Sequence, residues 1–223
     1  MVKIGHASID ERGKIKGGRA GDQTGKEVYV RDWYNKPWSH VIRFKDEKMR
    51  KRNAECMVKA CNNTAIGYNQ LNRNSLLLYA SNVQYDPSKV TAVCDTDCSA
   101  LVSLCCMYAG VPQSVLYQYG NSSTTGNIRR RLQDTGLVDV FCDSSYTTKP
   151  DKLMVGDILL AEGKHVAIVV ANDPSNKSIE DVAREVLDGK WGTGEERRSR
   201  LISAGYDYKA VQAEVNYLLG YRL

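Results

Sequence analysis

The sequence predicts an α+β domain, a cysteine-bearing helix packed on a small antiparallel sheet, followed by a small all-α three-helix bundle. Three stretches carry that expectation. "CDTDCSALVSLCCMYAG", residues 94–110, passes from helix-capping types to residues that are apolar nearly all round, as in a buried helix. "GDILLAEGKHVAIVVAND", residues 156–173, is two apolar runs joined by a short polar turn, as in paired strands. Beyond the polar, proline-containing "NDPSNKS", residues 172–178, apolar residues recur only at helical spacing. The division expected is a first domain over 1–174 and a second over 179–221.

Each element has its own local reason. Residues 1–26 are rich in Gly, Lys and Asp and read as loop. "KEVYVRDWYNKPWSHVIRF", residues 26–44, alternates Val28, Val30 and Val41 among aromatics, and "NKP" breaks it, so a β-hairpin is expected. Asp46 can cap a helix whose apolar face gathers Met49, Asn53, Cys56, Met57, Ala60 and Cys61. The basic run "KMRKR" falls on the opposite face, where a solvated surface is the default and a nucleic-acid contact the alternative. "NSLLLYASNV" is a second short helix, and "DPSK" turns the chain into the cysteine segment. "GNIRRRLQDTG" is a helix closed by Gly136, and "LVDVFCD" a short strand. In the last segment Ile179, Val182, Ala183, Val186 and Leu187 form one stripe. Thr193 and Glu196 suit a capping box, and Asp207 can cap a helix carrying Val211, Val215, Leu218 and Leu219.

Composition narrows the functional classes. No apolar run reaches the ~18 residues of a membrane span, so no stable membrane association is expected. The N-terminal stretch lacks the apolar middle of a signal peptide, so the expectation is a chain made and first kept in a cytosol. Seven cysteines without an export signal argue for reduced thiols, mostly in the core, rather than a disulfide framework. The net charge is +5, and it is uneven: residues 1–178 carry 24 basic and 18 acidic groups, residues 179–219 carry 6 and 8. A mildly basic first part is drawn to anionic polymers such as nucleic acid, anionic lipid or a bacterial wall, and charge alone does not choose among them.

Cys98 raises the chemical question. It stands in the first turn of the buried helix, behind Asp95, Thr96 and Asp97. Unpaired backbone N–H groups and the helix dipole favour a thiolate there. The chain has three histidines, and His165 opens the strand "HVAIVV" directly after a tight turn. A strand-edge imidazole beside a helix N-terminus suits a cysteine–histidine pair. Two other readings stay open: Cys98 as a core thiol, and a zinc site made by Cys94 and Cys98 with Cys56 and Cys61, which lack the glycine-rich knuckle setting.

"TDCSALV" followed by "GDILLAEGKHVAIVV" resembles the NlpC-type cysteine peptidases of bacterial cell walls and, more loosely, the CHAP amidases. The opening "SIDERGKIKGGRAGDQTGKEV…RDWY" looks like that of phage and prophage peptidoglycan amidohydrolases. The resemblance covers residues 4–172. It implies a papain-like catalytic domain with Cys98 as nucleophile, His165 as base, and Gly156 and Asp157 as the turn into the strand. Separately, "DVAREVLDGKWGTGEERRSRLISAGYDYKAVQAEVNYLL" resembles the cell-wall-binding repeat at the ends of phage lysins.

That family usually orients its histidine from the next strand, yet few residues remain between His165 and Ser178. The N-terminal hairpin is therefore expected to complete the sheet, with Asp22 and Gln23 of "AGDQTG" as orienting or oxyanion groups and Asn172 as the local alternative. The backbone N–H of Cys98 is expected in the oxyanion hole. In the repeat, Trp191 and Arg197 are candidate wall contacts, by ring stacking on a sugar and by a guanidinium on a carboxylate or carbonyl. Trp191 as a cap of the bundle core is the plainer alternative.

These resemblances imply a phage-type endolysin that cuts an amide of peptidoglycan by Cys-His catalysis without cofactor or metal. It would wait in the host cytoplasm until the membrane is opened, then act at the wall, with no nucleic-acid partner. The expected bond is the D-glutamyl–diamino acid bond of the stem peptide. The alternatives are an N-acetylmuramoyl-L-alanine amidase and a non-catalytic wall-binding or tail protein.

Overall fold

Val2, Ile4 and His6 alternate with Lys3, Gly5 and Ala7, and this short period builds a strand, β1 (Val2–Ala7), where the sequence reading expects loop. The period was easy to miss because β1 is buried on both faces and shows little polar alternation. Gly5 is required there: a Cβ would collide with the Met57 side chain of the first helix. The structure is a computed structural model, and it describes residues 1–9, 13–14, 27–172, 179–203 and 206–220.

The elements follow in chain order. β2 (Val28–Asp32) and β3 (His40–Phe44) precede α1 (Glu47–Cys61). β4 (Ile66–Tyr68), α2 (Ser75–Ser81), β5 (Cys94–Thr96) and α3 (Cys98–Ala109) come next. Then follow α4 (Gln113–Leu116), β6 (Tyr117–Gln118), β7 (Asn121–Ser122), α5 (Ile128–Gln133) and β8 (Val138–Phe141). α6 (Ser144–Thr147), β9 (Ile158–Ala161) and β10 (His165–Asn172) complete the first part.

The main sheet has six strands in the order β2-β1-β10-β9-β3-β8, and every pairing within it is antiparallel. The first domain is therefore mixed α and β around an antiparallel sheet. The expected hairpin over 27–44 does not form: β2 pairs with β1, and β3 with β9 and β8. Residues 33–39 cannot make a tight turn because they bury rings instead. Trp38 is buried, with Trp33 and Tyr34 packed on the same apolar cluster, and its indole N–H donates to the Tyr34 carbonyl at 3.1 Å.

One face of the sheet carries α1 and α3 over a core that includes Phe44, Met57, Leu101, Leu104, Val166 and Ile168. The opposite face carries a smaller cluster of Val2, Ile4, Trp38, Val41, Leu159 and Val169. α1 starts where expected, with Asp46 accepting from the Met49 amide at 2.7 Å. Its basic face is partly tied down, since Arg52 donates to the Tyr108 carbonyl and lies over the Tyr108 ring.

The chain divides into two compact units, one of residues 2–172 and one of Met1 with residues 173–223. The second holds α7 (Ile179–Leu187), α8 (Gly194–Ser203) and α9 (Tyr208–Leu218). Val182, Ala183, Val186, Leu201, Tyr206, Val211 and Val215 form its core. Asp207 caps α9, accepting from the Lys209 amide at 2.8 Å. Among the described residues no helix is long and apolar enough to cross a membrane.

Candidate active site

Cys98 is the first residue of α3, and Asp97 immediately before it is the N-cap. The Asp97 carboxylate accepts from the Ala100 amide at 2.7 Å. It also meets Arg73, whose Nε donates to Oδ2 at 2.5 Å and whose Nη2 donates to Oδ1 at 3.1 Å. The same guanidinium donates to Ser99 Oγ and to the carbonyls of Ser122 and Ser123. This pair is nearly dry, with side chains 13% and 10% exposed. Its desolvation cost is offset only because the fork is saturated with acceptors. Arg73 thus pins the cap, and the cap fixes where the Cys98 sulfur points.

The helix terminus does not win the competition over the thiol. Cys98 is 6% exposed. Burial first, and the Asp97 charge second, push its pKa up to about 12, against the backbone amides of Val166 and Ser99 that favour the thiolate. The expectation of an acidified thiol is corrected: dipole stabilisation of about a unit is smaller than the loss of water around a buried sulfur.

The Val166 amide puts the Cys98 sulfur beside the residue that follows His165. Cys98 and Val166 belong to the core on the helix side of the sheet. By strand alternation His165 projects to the other face with Ala167 and Val169. The two groups therefore reach the start of β10 from opposite faces. No hydrogen bond joins them among the described residues, so a proton could pass between them only around the head of β10.

The group that does touch His165 is His6, which sequence reasoning missed. Nδ1 of His6 lies 2.8 Å from Nε2 of His165, with both rings buried. The antiparallel register brings this about: Gly5 pairs with Ile168, so the next residue, His6, comes alongside the head of β10. The signal was available in "VKIGHA", where a histidine occupies the third position of an apolar alternation.

Both imidazoles are held neutral at ordinary pH. Burial, then Lys36 and Arg31, lower His165 to about 4. Burial, then His165, Arg31 and Lys36, lower His6 to about 3. In the tautomer in which His165 Nε2–H donates to His6 Nδ1, Nδ1 of His165 is the nitrogen left to take a proton. An imidazolium at His165 would donate from Nε2 to the lone pair of His6 Nδ1. Burial raises the Tyr34 and Tyr68 phenols; Arg31 opposes this at Tyr34, and a thiolate at Cys98 would raise both further.

The remaining sequence candidates fall elsewhere. Asp22 and Gln23 lie outside the described residues. Asn172 is at the far end of β10, roughly 23 Å along the strand from His165 at about 3.3 Å per residue. Its amide donates to the Leu153 carbonyl, which explains its position without chemistry. Asp157 is fully buried and clamped by Arg43 at 2.7 and 2.6 Å, and it accepts from the Met154 amide. Gly156 has φ +91°, and a Cβ there would collide with the Arg50 carbonyl. The "GD" pair is thus a structural clamp between sheet and helix. Among the described residues no three His, Cys, Asp or Glu side chains gather as a metal site. Cys56 lies instead against Cys105 in the core.

In the second unit, Trp191 is half-buried against the core. Its indole N–H donates to Glu185 at 3.2 Å and its ring meets Tyr206 edge-on at 5.7 Å. Arg200 lies over the same ring at 5.9 Å, while Arg197 donates from Nε to the Gly192 carbonyl at 3.1 Å.

An endolysin-like domain model matches residues 4–176, more than half of the chain, and the chain belongs to that family. A CW_7 repeat matches residues 180–219. The chain is also similar to the lysozyme of Streptococcus phage Cp-7, 49% identical over 47 residues. That match takes in 21% of this chain and 14% of the phage protein, so the chain spans only a small part of that relative. Together these matches place the chain with phage endolysins. No solved structure matches.

Proposed function

We propose that the chain is a phage-type endolysin whose first unit, papain-like and NlpC-type, hydrolyses a peptidoglycan amide with Cys98, His165 and His6, and whose second unit holds it on the wall. The observation that carries the chemistry is the His6–His165 bond at 2.8 Å, at the head of the strand whose next amide touches the Cys98 sulfur. The family membership and the wall repeat support the substrate class.

A neutral thiol and a neutral imidazole call for general-base attack rather than a resting ion pair. With the two side chains brought together around the head of β10, His165 Nδ1 takes the thiol proton as the sulfur adds to the carbonyl carbon, and His6 Nδ1 accepts from the Nε2–H of the resulting imidazolium. The Cys98 backbone N–H steadies the oxyanion. As the tetrahedral centre collapses, the C–N bond breaks and His165 gives its proton to the leaving nitrogen. Water then attacks the thioester with His165 again as base, releasing a carboxylate and restoring the thiol. The bond we favour is the D-glutamyl–diamino acid bond of the stem.

Purified peptidoglycan digested by the protein and analysed by mass spectrometry tests this. Release of fragments ending in D-glutamate is expected. A free amine-terminated stem detached from muramic acid would instead mark an amidase. Cys98→Ser should cut turnover by about 10⁴-fold or more while leaving wall binding intact. Undiminished lysis by that variant would rule out the cysteine mechanism, and absence of any cleavage by the wild type would leave a binding protein.

A further inference from the structure

A second chemical feature adjoins the paired imidazoles. Tyr29 and Arg31 lie on the face of β2 that faces His6 and Ile4 in the register with β1. The Tyr29 ring is 4.8 Å from His6. The Arg31 guanidinium lies over the Tyr34 ring at 4.3 Å and donates to the Tyr29 hydroxyl at 3.5 Å. Tyr34 is 5.8 Å from Trp38, and Trp38 is 6.1 Å from His165. A continuous run of rings therefore connects an exposed guanidinium to the proposed base.

Arg31 has no carboxylate partner among the described residues. The adjacent Asp32 points to the other face and is bound to Lys3 at 2.6 Å. A guanidinium held over an aromatic ring still presents further N–H groups beyond its one bond to Tyr29, which suits contact with a carboxylate. Lys36, in the connection that follows β2, adds a second positive charge felt by both imidazoles. Two cations next to a base that must become cationic oppose its protonation. An anionic group bound between them and solvent would cancel that opposition when substrate is in place.

Building on the function proposed above, we propose that Arg31, seated on Tyr34, binds a free carboxylate of the peptide substrate beside the scissile amide. The site then selects stem peptides with a carboxylate over those with a carboxamide at that position.

The test uses the full chain and two synthetic stem peptides that differ only in carboxylate or carboxamide next to the cleaved bond. Wild type should favour the carboxylate peptide by about 10–100-fold in kcat/KM, the range of one charge-assisted pair. Arg31→Gln should lose at least about tenfold on the carboxylate peptide and nothing on the carboxamide, and Arg31→Lys should recover part of the preference. Equal wild-type rates on both peptides would overturn the assignment. So would an equal loss on both in Arg31→Gln, which would mark Arg31 as merely structural. Failure of the underlying function has a different signature: neither peptide nor purified peptidoglycan is cut by wild type, and the carboxylate assignment falls with it.

Discussion

The two units solve opposite problems. All the buried polar and charged residues described, from His6 and Glu27 through Arg73's partner Asp97 to Asp157 and His165, lie within residues 2–172. The described part of residues 179–220 buries only apolar side chains and Tyr206, and its ion pairs, such as Arg184–Glu180 and Lys190–Asp188, stay at the surface. The first unit holds dry polar groups in fixed positions between two apolar clusters, so removing one partner of such a pair is costly. The second distributes its stability over a small hydrophobic core, where exposed ion pairs contribute little.

That contrast can be broken most strongly at Arg73. Arg73→Ala leaves Asp97 buried without its fork, and the first unit should lose about 3–5 kcal/mol, read from a urea midpoint. Wall retention through the second unit should be unchanged. Acid should discriminate next. Above pH 6.5 His165 is neutral in both folded and unfolded chains. Below it, the unfolded chain binds a proton that the folded protein refuses until about pH 4. Stability present above 6.5 is therefore lost as pH falls to about 4, by about 3 kcal/mol for His165 alone. His6 extends the loss toward pH 3. The second unit has no histidine and should show no such step in this window. If both units lose stability in parallel between pH 6.5 and 4, the buried imidazoles are not the cause.

At the site, His6→Ala should lower kcat by about 10²-fold with KM nearly unchanged, because His6 supports an imidazolium that exists only along the reaction. A change confined to KM would give His6 a binding role. The smallest effect is expected at Trp191. Trp191→Phe removes its bond to Glu185 and should cost the second unit about 1 kcal/mol, with turnover of a soluble peptide unaffected.

The same contrast explains what was legible. α1, α3, the pair β9 and β10, and the helices beyond residue 178 carry their apolar pattern within their own segments, with Asp46, Asp97 and Asp207 as local caps, so local pattern sufficed. β1 was misread because both of its faces are covered by elements far away in sequence. The partner of His165 was unreadable for a related reason: it is set by register between distant strands. The acidity of Cys98 was misjudged because the helix terminus is visible in the sequence whereas the depth of burial is not. The "GD" turn was found in the right place, but its carboxylate turned out to serve Arg43.

The pairing of β1 with β10 also has a consequence in time. His6 and His165 are 159 residues apart in the chain. Ribosomes add about 5–20 residues per second, so a nascent chain holds its first strand and its thiol for several seconds before the base emerges. Contacts of such separation also form slowly. Under the proposed chemistry, every product that stops short of residue 165 is inert, and the lytic machinery is latent until almost the whole first unit has left the ribosome. The order of strands in the sheet thus makes pairing of the two imidazoles one of the last contacts open to the growing first unit.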